Sequence, residues 1–120
     1  MAVNRKRRTV VELLAMGACL HSFYNGIENI LKQILHDQRI NFFISSHSWH
    51  KDLLDLSKGN TIITKKLQND LYEYMTFRHF FVHAYGLMLK EEKMSHLVKN
   101  IDKVWKSFKR SIKKQYNITP

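Results

Sequence analysis

Apolar residues recur every three to four positions along most of the chain, and that spacing predicts helices. The first predicted helix runs from about Thr9 to His36, with Val11, Leu14, Ala15, Ala18, Ile27, Ile30, Leu31 and Ile34 on its buried side. Gly26 lies inside it, costs about 1 kcal/mol in helix propensity, and offers a point for close packing or a bend. The segment from Gln38 to Ser48 mixes Asn41 with Phe and Ser and reads as a loop or short turn. Ser48 is placed to cap a short helix from Trp49 to Ser57, with Leu53, Leu54 and Leu56 inward. Lys58-Gly59-Asn60 reads as the turn that follows.

A third helix, capped by Thr61 or Thr64, carries Leu67, Leu71, Tyr74, Met75, Phe81 and Val82, and Gly86 is its natural stop. A fourth runs from about Glu91 to Tyr116 on the stripe Met94, Leu97, Val98, Ile101, Val104, Trp105, Phe108 and Ile112. Its acidic start and basic end suit the helix macrodipole. No stretch alternates as a strand would. The expectation is an all-α fold: an up-and-down bundle of four to five helices, one domain over residues 1–120, with residues 1–8 as a basic arm.

Charge adds a partner class. Twenty Lys and Arg face ten Asp and Glu, a formal net charge of +10. So large a surplus on a small domain favours polyanions, either nucleic acid or an acidic protein, although solubility alone also uses such charge. Lys99, Lys103, Lys106, Lys109, Arg110, Lys113 and Lys114 concentrate it along the last helix, and Arg5 to Arg8 in the arm. The lone cysteine, Cys19, excludes an intrachain disulfide and is expected to be a small core residue. No apolar run appears long enough to span a bilayer, and Glu12, His21 and Glu28 break up any signal-like stretch. A cytoplasmic location without membrane association is expected.

The chemistry concentrates at the end of the third helix, in Arg78-His79-Phe80-Phe81-Val82-His83-Ala84-Tyr85-Gly86. Arg, a polar residue, His five positions after the Arg, and Tyr two later resemble the R-x4-H-x-Y signature of HepT-like members of the HEPN superfamily. The chain length, the bundle and the motif's place before a last amphipathic helix agree. The resemblance implies a metal-independent endoribonuclease, the toxin of a toxin–antitoxin pair, with Arg78 and His83 catalytic, His79 supporting them and no cofactor. It also implies an antitoxin partner, a minimal nucleotidyltransferase of the MNT type, that transfers AMP to Tyr85 and silences the toxin.

The residue types suit that reaction independently. Metal-free RNA cleavage uses the neighbouring 2′-hydroxyl as nucleophile, and needs a group that moves protons near neutrality and a fixed cation at the phosphorus. Histidine supplies the first and the arginine fork the second. In one regular helix, however, five residues turn side chains apart by about 140° with about 7.5 Å of rise. Either the helix end loosens before Gly86 or a second chain contributes its own copy, so a homodimer with the cleft between protomers is expected. Seven residues after Arg78, Tyr85 returns to nearly the same face, where an added phosphate would obstruct RNA.

Plainer roles exist for each residue. Arg78 could bridge to Glu28 or Glu73, His83 could be a satisfied core histidine, and Tyr85 could simply pack. His79 and His83 share metal-ligand spacing, but only His47 and His50 tempt as further ligands, and no metal is expected. Phe77, Phe80 and Phe81 read as core or dimer contacts, while the pairs Tyr24-Asn25 and Trp49-His50 could line the cleft. Two rivals to the toxin stand: a non-catalytic HEPN module that binds nucleotides or docks the nucleotidyltransferase, and a basic helical nucleic-acid-binding protein.

Overall fold

The computed structural model describes residues 9–42, 48–84 and 91–116, apart from the side chains of 80, 82–84, 115 and 116. Five helices follow one another: α1 (Val10–Asp37), α2 (Trp49–Gly59), α3 (Lys65–Ala84), α4 (Glu91–Lys99) and α5 (Ile101–Tyr116). Among the described residues there is no strand, so the fold is the expected all-α bundle. Helix α1 packs on α2, α3 and α4, while α3 also meets α2 and α5. The core between them is built from Leu20, Tyr24, Ile27, Leu31, Leu53, Leu67, Leu71, Tyr74, Leu97 and Phe108, all nearly or fully inaccessible.

Local chemistry sets the starts of two helices. Thr9 caps α1: its hydroxyl accepts from the Glu12 N–H at 3.1 Å, and its own N–H donates to the Glu12 carboxylate at 3.0 Å. Thr64, rather than Thr61, caps α3, accepting from the Leu67 N–H at 3.1 Å. Ser48 precedes α2 as expected but makes no side-chain cap bond. The reversal after α2 also comes later than Lys58-Gly59-Asn60, because α2 continues through Gly59. Thr61 takes a left-handed φ of 59°, an uncommon conformation for a β-branched residue. Burial of the next two residues, Ile62 and Ile63, offsets that strain.

Two sequence expectations are corrected. The single helix expected from Glu91 to Tyr116 is broken at Asn100 into α4 and α5. There the Asn100 side-chain amide donates to the His96 carbonyl at 2.8 Å. The Tyr74 hydroxyl reaches from α3 to the Leu97 carbonyl at 2.6 Å, taking an acceptor that an unbroken helix would use internally.

The second correction concerns α1. Its buried stripe, read backwards from Leu31 and Ile27, passes through Tyr24, Leu20, Met16 and the half-buried Leu13. Val11, Leu14, Ala15, Ala18 and Cys19 lie outside it and are exposed. The first half of α1 is apolar on both sides, so periodicity could not choose between them. This second apolar side is also why α1, with a mean hydropathy of 1.2 over 18 residues, is long and apolar enough to cross a membrane by length and composition. Its core side packs against three other helices of the bundle.

Gly17 sets the approach of α1 to α3. A Cβ built there would fall 2.5 Å from Phe81 Cε1, so a larger residue would have to displace that ring. Phe81 stacks on the buried Phe77 with centroids 5.8 Å apart, which anchors this end of α3 in the bundle as expected for those two residues.

Candidate active site

Arg78 sits half-buried on α3, one turn beyond the buried Tyr74. Its Nε–H donates to Asn25 Oδ1 of α1 at 2.8 Å. One Nη1–H points at His50 Nε2, at the start of α2, over a longer 3.4 Å. On the other side of that ring, His50 Nδ1 lies 2.6 Å from Glu28 Oε2 of α1. Arginine has only donors to offer, so His50 Nε2 must accept. The imidazole proton therefore sits on Nδ1 and is donated to Glu28. The chain Glu28–His50–Arg78–Asn25 thus joins three helices, with a donor facing an acceptor at each of its three contacts.

Burial grades along this chain. The Glu28 side chain is 3% exposed and the His50 side chain 24%. Trp49 covers one face of His50, with ring centroids 3.6 Å apart, and Lys32 stands over Trp49 at 5.1 Å. Beneath them Tyr24 is fully buried; burial, then the Glu28 charge, pushes its hydroxyl pKa well up and keeps it neutral. The plain expectation for Arg78, an ion pair with Glu28 or Glu73, is met only indirectly. Glu28 reaches Arg78 through His50, and Glu73 instead lies 3.8 Å from His96.

His21, one turn before Asn25 on α1, borders the same site. Burial first, and the Arg78 charge second, hold its pKa below the ordinary 6.5, with Glu28 opposing. The folded state therefore disfavours the protonated ring, which the unfolded chain accepts freely. That contribution to stability is complete above pH 6.5 and is lost as pH falls through the lowered folded value. Urea titrations at a series of pH values should show stability falling below pH 6.5, with a shallower fall in His21→Asn. Identical slopes in both proteins would contradict the assignment.

The structure treats the motif residues unevenly. His79 is exposed, beside Arg78 in sequence and on an adjoining face of α3. Position 83 lies within the helix, which continues without a break through Ala84. The side chain of His83, together with Tyr85 and Gly86, lies outside the described residues. An unbroken α3 removes the loosened helix end as a means of bringing positions 78 and 83 together. By helical register they stand about 140° apart.

Asn25, Glu28 and His50 were not singled out as site residues from the sequence. Asn25 and His50 stood as members of pairs that could line a cleft, His50 also as a tempting metal ligand and Glu28 as a possible ion-pair partner of Arg78; one residue of each pair does meet Arg78. Glu28 was visible as a lone carboxylate at a position aligned with the apolar stripe of α1, a signal that it needs a buried partner.

The bundle carries Arg78 of the R-x4-H-x-Y signature on its third helix, as the resemblance to HepT-like members of the HEPN superfamily implies. A family model described as HepT-like protein matches residues 15–118, and the chain belongs to that family. No curated protein and no solved structure gives a significant match.

Proposed function

We propose that this chain is a metal-independent endoribonuclease toxin whose scissile phosphate is held by Arg78. The observation that carries this reading is the donor count at Arg78. Asn25 takes the Nε–H and His50 one Nη1–H, which leaves three of the five guanidinium donors without a partner among the described residues. Two suffice for a bidentate grip on phosphate oxygens. Two of its donors brace the guanidinium, and the others remain to bind phosphate.

In the proposed reaction the RNA 2′-oxygen attacks the adjacent phosphorus and loses its proton to a base. The bond from phosphorus to the 5′-oxygen breaks, and that oxygen receives a proton. A 2′,3′-cyclic phosphate and a 5′-hydroxyl result. Arg78 offsets the charge gathered on the phosphoryl oxygens, His83 moves a proton, and His79 adds a polar contact.

Because α3 keeps positions 78 and 83 apart, the second chain of a homodimer supplies the missing partner. The apolar strip on α1 is the surface suited to receive it. Leu14, Ala18, His21 and Asn25 follow at helical spacing, so the strip leads from exposed Val10, Val11 and Leu14 directly to the residue that braces Arg78. A second copy seated there would lie beside Arg78.

Mixing inactive variants tests this arrangement. Arg78→Ala and His83→Ala homodimers should both lack RNA cleavage. A mixed dimer keeps one complete site if Arg78 of one chain works with His83 of the other, so activity should return to as much as half. Absence of any recovery in dimers shown to be mixed would refute the shared site.

Control falls to a nucleotidyltransferase antitoxin that moves the AMP of ATP onto the Tyr85 oxygen, with release of pyrophosphate. The added phosphate would compete with RNA for Arg78. Intact-mass measurement after incubation with ATP and the enzyme should show one adenylyl group, absent in Tyr85→Phe. Retention of the adduct in Tyr85→Phe would refute this site. One observation favours a docking module instead: Arg78 already ties three helices together. That reading requires the chain to cut no RNA at all.

A further inference from the structure

We propose that α5, with the facing wall of α3, forms a second RNA contact, a track for the phosphate backbone built from residues other than the Arg78 site. The proposal rests on the ribonuclease reading above for its choice of polyanion.

The track is a groove of about 590 Å³ between α3, α4 and α5. Lys103, Ser107, Arg110, Ser111 and Lys114 line its α5 side, with Lys66, Asp70 and Glu73 opposite. Of the two carboxylates, Asp70 is paired with Lys66 at 3.3 Å, and Glu73 lies 3.8 Å from the His96 ring. Lys103, Arg110 and Lys114 have no ion pair among the described residues. On its other flank Arg110 joins Lys106, Lys109 and Lys113 around a smaller notch without a single acidic residue.

The contrast with the other helices sets this face apart from an ordinary solvated one. Two exposed lysines elsewhere in the bundle are balanced one turn away, Lys51 by Asp55 on α2 and Lys66 by Asp70 on α3. Helix α5 has one acidic residue, Asp102, against Lys103, Lys106, Lys109, Arg110, Lys113 and Lys114. Cations at three- and four-residue spacing repel one another within the free helix. A polyphosphate laid along α5 removes that repulsion and gains from it. Lys103 to Lys114 covers about 16 Å of helix, enough to pass several phosphates of a strand. Ser107 and Ser111 place neutral donors between the charges, which suits phosphate and sugar oxygens.

Binding of a fluorescent 2′-O-methyl oligonucleotide tests the track. This probe lacks the attacking hydroxyl, so affinity is read whether or not the chain cuts RNA. The triple variant Lys103→Gln, Arg110→Gln, Lys114→Gln is compared with a control of equal charge loss, Arg39→Gln, Lys51→Gln, Lys58→Gln. The track variant should bind at least about tenfold more weakly at low salt, and its dependence of log affinity on log salt should be shallower by about 2. The control should keep the parent slope. Equal weakening in both variants, or an unchanged slope in the track variant, overturns the proposal. So does an outcome in which the track variant keeps RNA but loses binding to a polyglutamate peptide, since the face then serves an acidic protein. Cleavage of unmodified RNA by the parent chain is a separate measurement: no cleavage there defeats the ribonuclease reading while leaving the track result intact.

Discussion

Replacing Arg78 by alanine is expected to lower RNA cleavage by about a hundred- to ten-thousand-fold, the range seen when a fixed cation or donor at a transition state is removed. The loss should appear mainly in the rate of the bound complex, because many other cations still hold RNA. Arg78→Lys should recover little. A lysine ammonium keeps the charge but not the fork, and it cannot both accept bracing from Asn25 and His50 and grip two phosphate oxygens. Folding should survive either change, since Asn25 and His50 are only half-buried and water can replace the lost bonds, at about 1 kcal/mol each. Single-turnover cleavage together with urea denaturation separates the two effects. Cleavage by Arg78→Ala at the parent rate would end the assignment.

His50→Leu is expected to cost about 3–5 kcal/mol of stability, the penalty for stranding a buried charge. The Glu28 carboxylate is almost wholly enclosed and has its short bond to His50 Nδ1. Glu28→Leu should cost less, about 1–2 kcal/mol, because the partner it leaves is partly solvated and can reach water. Changing both residues to leucine should restore most of the loss, since no orphaned charge remains and apolar volume replaces the pair. The order His50→Leu worst, Glu28→Leu intermediate, double variant best is the decisive outcome of urea titrations at neutral pH. If Glu28→Leu proves the more damaging change, the pair does not work as described. Cleavage in Glu28→Leu should fall moderately, because one brace of Arg78 then has no orienting partner.

These two experiments bear on the same observation from opposite ends. The first asks what the unpaired donors of Arg78 do, and the second asks what holds the guanidinium in place. A purely structural tie would show in the second and be silent in the first. A catalytic arginine shows in both.

Helices and their chemistry were largely legible along the chain. Thr9 with Glu12 announces the start of α1, and the stripes of α2, α3 and α5 repeat at the spacing that one buried side demands. The arginine of the motif and the cations of the last helix needed only residue type and position. Such features are local: they depend on neighbours within a turn or two, and periodicity reports them faithfully.

What the chain order did not disclose depends on distant partners. The wrong side of α1 was chosen because both sides of its first half are apolar, and only packing against α3 and α4 separates core from strip. The break at Asn100 follows from Tyr74, whose hydroxyl crosses from another helix to the Leu97 carbonyl. Asn25 and Arg78 are 53 residues apart, and Glu28 and His50 are 22 apart. Helical periodicity says which way a side chain faces but not which side chain of another helix it will meet. That meeting is decided when the apolar stripes pack, and the polar residues at their margins must then find partners in whatever company the packing provides.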